Sequence, residues 1–227
     1  MDERVRRTVE TYERVADTYA DLHGDRDVVA EIVERFVTAV GGPNGTDPNG
    51  TDPNGADRSG TDRSGTEVSG RPRVLDVGCG PGWESAAFAE AGFDAVPFDL
   101  TERFLEQTRE RLPDASVVRG DMRALPFADD AFDGLWACAS LLHVPESEVP
   151  ATLTDFERVL ADDGVVLVSL KRTNAPADPD RESPYDSDER HFERYEPETV
   201  TDLFEDAGFA VRSVDTNDGW VAVSAIA

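Results

Sequence analysis

The residues best suited to chemistry stand in a short, ordered series. Asp76 is followed by glycines at alternate positions, Gly78, Gly80 and Gly82, with Cys79 between the first two. A second carboxylate, Asp99, lies 21 residues beyond Gly78, with Leu100 next to it. Then come Asp121 and Met122 in G-D-M-R-A-L-P-F, and His143 in A-S-L-L-H-V, one of 3 histidines. Glycines at alternate positions let bare backbone approach a ligand closely and present N–H groups from a helix start. Carboxylates placed beyond the turn suit hydroxyl or ammonium donors. His143 is a candidate general base, or an orienting group, on a hydroxyl or amine; alternatively it fixes its own loop by hydrogen bonds.

Each member of the series follows a stretch that reads as a strand. Strands are expected at Arg73–Val77, Asp94–Phe98, Ser116–Arg119, Phe132–Ala139 and the V-V-L-V-S-L run after Asp163-Gly164. Between them fall helical patterns at Trp83–Ala91, at Thr101–Arg111 with Thr101 as N-cap, and at Glu146–Leu160. A further helix, Pro197–Ala207, stops at Gly208, and two last strands, Ala210–Val214 and Trp220–Ile226, flank a T-N-D-G turn. This alternation predicts an α/β fold: a Rossmann-like, doubly wound, seven-stranded, mostly parallel sheet with a C-terminal antiparallel hairpin strand. In such sheets ligands bind beyond the carboxyl ends of the strands, where the whole series lies.

Trp83 stands where a dinucleotide fingerprint, G-x-G-x-x-G, would need glycine or alanine. Asp76 beside the turn would repel a pyrophosphate. The D-V-G-C-G-P-G turn, Asp99, G-D-M and P-F-A-D-D-A-F-D-G-L-W-A, in register and in order, instead resemble the class I S-adenosylmethionine-dependent methyltransferases, in particular the small-molecule branch called type 11. The resemblance spans residues 71–227 and an N-terminal Y-E-R-V-A-D-T-Y segment. It implies that turn 78–82, Cys79 included, passes under the methionine part of S-adenosylmethionine, with Asp76 helping to fix its amino group. Asp99, with Leu100, would hold the ribose. Asp121 would accept from the adenine amine, with Met122 on the base. Tyr12 and Tyr19 share a helix face, and Tyr19 would close over the cofactor or pack the N-terminal helices on the domain. Trp83 either meets the cofactor or begins the buried face of its helix. His191 and Tyr195 are candidates for the acceptor wall. Methyl transfer to a small molecule is the expected activity. The alternatives are a non-catalytic S-adenosylmethionine-binding regulatory module and a nicotinamide-dependent oxidoreductase, which Trp83 opposes.

The rest of the chain sets bounds. Residues 1–40 carry two helical patterns and are expected to form an N-terminal helical lid; residues 71–227 form the cofactor-binding domain. Between them, residues 41–70 repeat glycine every five positions with no apolar face to stack, so a disordered linker is expected. There are 48 acidic against 22 basic residues, a net charge of −26, and a single lysine, Lys171. Nucleic acid and anionic membranes are poor partners for such a surface. The composition resembles that of proteins from salt-loving archaea, whose salty cytosol screens self-repulsion. Cys79 and Cys138 lack C-x-x-C spacing and read as reduced thiols, with no metal site expected. Neither a signal-peptide core nor an 18-residue apolar span is found, so a cytoplasmic protein is expected.

Overall fold

The structure, a computed structural model, describes residues 2–41, 70–173, 185, 189–217 and 219–227. The expected linker therefore lies outside the described residues except for positions 41 and 70.

Two helices, α1 (Glu3–His23) and α2 (Asp27–Gly41), precede the sheet. Strands β1 (Arg73–Val77), β2 (Asp94–Asp99), β3 (Val118–Arg119), β4 (Phe132–Cys138) and β5 (Leu160–Arg172) alternate with α3 (Trp83–Glu90), α4 (Glu102–Arg111) and α5 (Val149–Val159). A two-residue β6 (Arg194–Tyr195), helix α6 (Pro197–Asp206) and the strands β7 (Ala210–Asn217) and β8 (Trp220–Ile226) complete the chain. The sheet order is β3-β2-β1-β4-β5-β8-β7, parallel through β5, with β8 antiparallel to both its neighbours. These are the seven strands the sequence predicts. β6 is an eighth, paired in parallel with Lys171 and Arg172 at the end of β5; two residues carry no alternation from which a strand could be read.

Both faces of the sheet are covered, as the unbroken apolar runs of β1 and β5 require. On one face Leu75, Val77, Leu135 and Val166 pack against Phe156 of α5 and Phe204 of α6. On the other, Val74, Trp136 and Leu167 meet Phe88 of α3 and Phe36 of α2. Phe36 is 1% exposed, and its ring lies 5.2 Å from Phe88 and 5.3 Å from Trp136. Burial of a ring that size contributes about 1.5–3 kcal/mol, so α2 is part of the packing of the sheet.

Helix α1 packs Tyr12 and Tyr19 on Phe104 of α4 and adds polar contacts with the start of that helix. Thr101 is the N-cap residue, as the sequence suggests, but its side chain makes no capping bond. The Glu13 carboxylate supplies the cap, accepting from the Glu102 N–H at 2.7 Å and the Arg103 N–H at 3.1 Å. Asp17, one turn on, accepts from Arg103 and from Gln107 at 2.9 Å. Acidic groups at a helix N-terminus satisfy orphan N–H groups and the positive end of the dipole together.

Candidate functional site

The strand order reverses between β1 and β4, and a cavity of about 1080 Å³ opens there at the carboxyl ends of the strands. Its walls come from the loops after β1, β2, β3 and β4, with α1 and the α1–α2 connection across it. One half is built largely from backbone. Gly78 has φ +76°, and a Cβ there would sit 2.3 Å from Ser140 Cβ, so only glycine fits. Gly80 has φ +53° and nothing within 4 Å of where a Cβ would point. Its bare backbone therefore faces open space. The Gly78 and Cys79 N–H groups donate to the Phe98 carbonyl at 2.7 and 3.1 Å, tying the turn to the end of β2.

Asp99 closes this arrangement. Its carboxylate accepts from the Gly80 N–H at 3.0 Å and the Thr101 N–H at 2.8 Å, one bond to each oxygen. A carboxylate has about four acceptor positions, which leaves capacity for two hydroxyl donors in the cavity it lines. Burial raises its pKa, opposed by those two N–H bonds. Further round the wall, Asp121 receives Arg123 Nη2 at 2.6 Å, and the same guanidinium reaches Glu148 at 2.6 Å. Burial pushes the Asp121 carboxyl up, but the Arg123 bonds outweigh it and the net shift is downward. From the other side, the Arg26 guanidinium lies 4.9 Å from the centre of the Trp83 ring and donates to Glu84 through Nε at 2.7 Å.

The other half is built from side chains. His143 Nδ1 lies 2.6 Å from the His191 carbonyl, which can only accept, so this nitrogen carries the proton. Nε2 lies 3.0 Å from Tyr12 Oη, and Arg190 Nη1 donates to that same oxygen at 3.0 Å. Burial, with Arg190 and Lys171 nearby, holds the His143 pKa down to about 4. The neutral ring therefore accepts the tyrosine proton at Nε2. Phe192 packs 4.9 Å from His143, and Tyr185 stacks under Arg190 with the guanidinium 3.6 Å from its ring centre.

Among the residues singled out from the sequence, Gly78, Cys79, Gly80, Asp99, Leu100, Asp121, Met122, Trp83, Tyr12, Tyr19 and His143 all line this cavity. Tyr19 packs between Trp83 and Phe104, at 6.1 and 5.3 Å. Asp76 and Gly82 are not among the lining residues. Asp76 is 1% exposed beneath the turn, where Ser85 Oγ donates to it at 2.5 Å, and burial together with Glu84 pushes its pKa up to about 8. Gly82 is required by packing instead: a Cβ would meet the Thr108 side chain at 2.8 Å. His191 and Tyr195 do not line the cavity either; Arg190 and Phe192 do. Arg26, Glu84, Tyr185, Arg190 and Phe192 went unnoticed in the sequence. Only Lys171 carried a signal, as the sole lysine.

Comparison with known proteins follows these lines. Residues 74–164 match the methyltransferase domain family. Malonyl-[acyl-carrier protein] O-methyltransferase of Erwinia pyrifoliae is 38% identical over 97 residues, 43% of this chain and 36% of that protein. The chain spans about two fifths or less of the length of the first curated relatives it matches. Among solved structures, the complex between the Haloferax volcanii Trm112 methyltransferase activator and a methyltransferase gives a TM-score of 0.68 at 17% identity, covering 98% of this chain and 97% of that one. Burkholderia thailandensis 1,6-didemethyltoxoflavin-N1-methyltransferase with S-adenosylhomocysteine gives 0.59 at 18% identity, covering 100% and 91%. Residues 74–164 of this chain thus match a methyltransferase domain family, and the fold is shared with the Haloferax and Burkholderia structures.

Proposed function

We propose that this protein transfers a methyl group from S-adenosylmethionine to a small-molecule acceptor. One observation carries the reading: a glycine turn with its backbone bare to the cavity is hydrogen-bonded to the carboxylate, Asp99, that lines the same cavity. These residues suit the cofactor. Asp99 has acceptor positions left for two ribose hydroxyls, and Met122 offers an apolar surface to a base. The Gly78–Gly82 turn would underlie the methionine part with Cys79, and Leu100 would flank the ribose. Asp121 would serve the adenine amine with the oxygen capacity that Arg123 leaves. The place of Asp76 is beneath the turn, shaping it.

When bound, S-adenosylmethionine supplies an already activated methyl group, so the protein's task is alignment in a dry site. Tyr12 Oη takes a proton from the acceptor as its own passes to His143 Nε2, and Arg190 holds the tyrosine oxygen in place. Of the N-terminal helices, α1 acts as a lid while α2 stays packed on the sheet, with Tyr19 and Trp83 closing the cofactor side; residues 71–227 form the cofactor-binding body. The Erwinia relative is named for an acyl-carrier-protein-bound substrate and the Burkholderia protein for a small heterocycle, which supports the small-molecule branch. Titration calorimetry with S-adenosylhomocysteine, followed by transfer of labelled methyl to a metabolite extract, tests the reading. Absence of binding ends it.

The charge excess supports a cytoplasmic protein adapted to high salt. Raising KCl toward about 1 M shortens the screening length to about 3 Å, and the melting temperature should climb with it. A flat response removes this part of the reading.

A further inference from the structure

In a chain with 48 acidic residues and a single lysine, the side-chain half of the cavity presents cations. The ammonium of Lys171, at the end of β5, lies 4.3 Å from the centre of the Phe192 ring; the Arg190 guanidinium lies 4.6 Å from the same centre. Both line the cavity, and both act electrostatically on His143. Each makes further contacts as well; what matters is that two positive charges converge on one ring beside the reacting groups. Three of the described carboxylates that line the cavity pair with other arginines: Glu84 with Arg26, Asp121 with Arg123, Asp215 with Arg35. The walls between the two cations are aromatic, from Tyr12, Phe192 and Trp220. Cations held over ring faces are partly desolvated and fixed in direction, which strengthens their attraction for an anion.

We propose that the methyl acceptor is a small carboxylate with an aromatic or apolar body, its negative charge bound between Lys171 and Arg190. This rests on the methyl-transfer reading and names the substrate class of that site. The arrangement has a catalytic corollary. Lys171 and Arg190 disfavour a proton on His143; an acceptor carboxylate beside them offsets that field and makes Nε2 more basic only when an acceptor is in place. The other groups facing His143 are Tyr12 at Nε2, the His191 carbonyl at Nδ1, and the His191 side chain, which is paired with Glu193.

The test uses para-hydroxybenzoate and its uncharged analogue para-hydroxybenzamide. Each is titrated calorimetrically into protein first loaded with S-adenosylhomocysteine. The loading heat reports the cofactor site by itself, so failure there is told apart from failure here. The acid should bind at least about tenfold more tightly than the amide, as expected for a charge-assisted contact. Lys171→Gln and Arg190→Gln should each cost the acid about tenfold more than they cost the amide, with the loading heat unchanged, whereas Lys171→Arg should retain most of the preference. Equal affinity for acid and amide overturns the proposal. So does absence of binding by both, or an equal loss of both in the glutamine variants.

Discussion

The two halves of the cavity are made of different material. On one side a turn of consecutive residues presents backbone, fixed by hydrogen bonds to the next strand, with one carboxylate answering it. On the other, residues 12, 143, 171, 190, 192 and 220 supply side chains that meet only once the sheet is formed. Backbone geometry constrains which residue types are allowed, so the first half leaves a mark in the sequence. Side chains from distant elements can be exchanged one by one, so the second leaves almost none. The contrast suits a protein that handles one invariant cofactor and an acceptor that differs from enzyme to enzyme.

Asp99→Ala would strike the first half hardest. It removes the acceptor for two backbone N–H groups as well as for the ligand, at a cost of about 1.5–3 kcal/mol per charged bond. Affinity for S-adenosylhomocysteine should fall by at least about a hundredfold in calorimetry; an unchanged affinity would erase the division into halves. His143→Ala is the counterpart on the other side. It should lower kcat by about a hundredfold, the modest end for acid–base catalysis, while cofactor binding stays within about twofold. A parallel loss of both would show that the halves are coupled. Tyr12→Phe keeps the ring packing and removes the hydroxyl that relays the proton to His143, so kcat should again drop about a hundredfold with KM nearly constant.

A separate effect, on stability alone, concerns the residue under the turn. Asp76, with its pKa pushed up to about 8, is neutral in the folded protein near neutrality. The unfolded chain loses this proton at the ordinary carboxylate pKa. Its contribution is therefore full below pH about 4 and is lost as pH rises through about 8. Asp76→Asn should gain on the wild type over that window, by up to about 1.4 kcal/mol per pH unit, read as melting temperature against pH. His143 works in the opposite sense: buried and neutral, it costs stability as pH falls from about 6.5 to about 4. The Asp76 effect is therefore the difference between variant and wild type at each pH.

The positions of seven strands were legible because most of them are apolar runs ended by a turn signal, and Gly78 because its φ of +76° excludes other residues. The place of Asp76 was not. A carboxylate before a glycine turn looks the same whether it faces a ligand or Ser85. The pairing of Arg26 with Glu84 spans 58 positions and that of Glu13 with Glu102 spans 89; neither has a periodicity to betray it. At the acceptor wall Arg190 and Phe192 line the cavity where residue type alone favours His191 and Tyr195.

Because the cap of α4 is borrowed from α1, the Glu102 and Arg103 amides have their hydrogen-bond partner on another helix. Helix-start amides have none within their own helix. Whenever α1 lifts, these two hydrogens lose their acceptor while the rest of α4 keeps its ladder. Their exchange with deuterium is thus a built-in clock for the opening of the cavity, readable without substrate or cofactor.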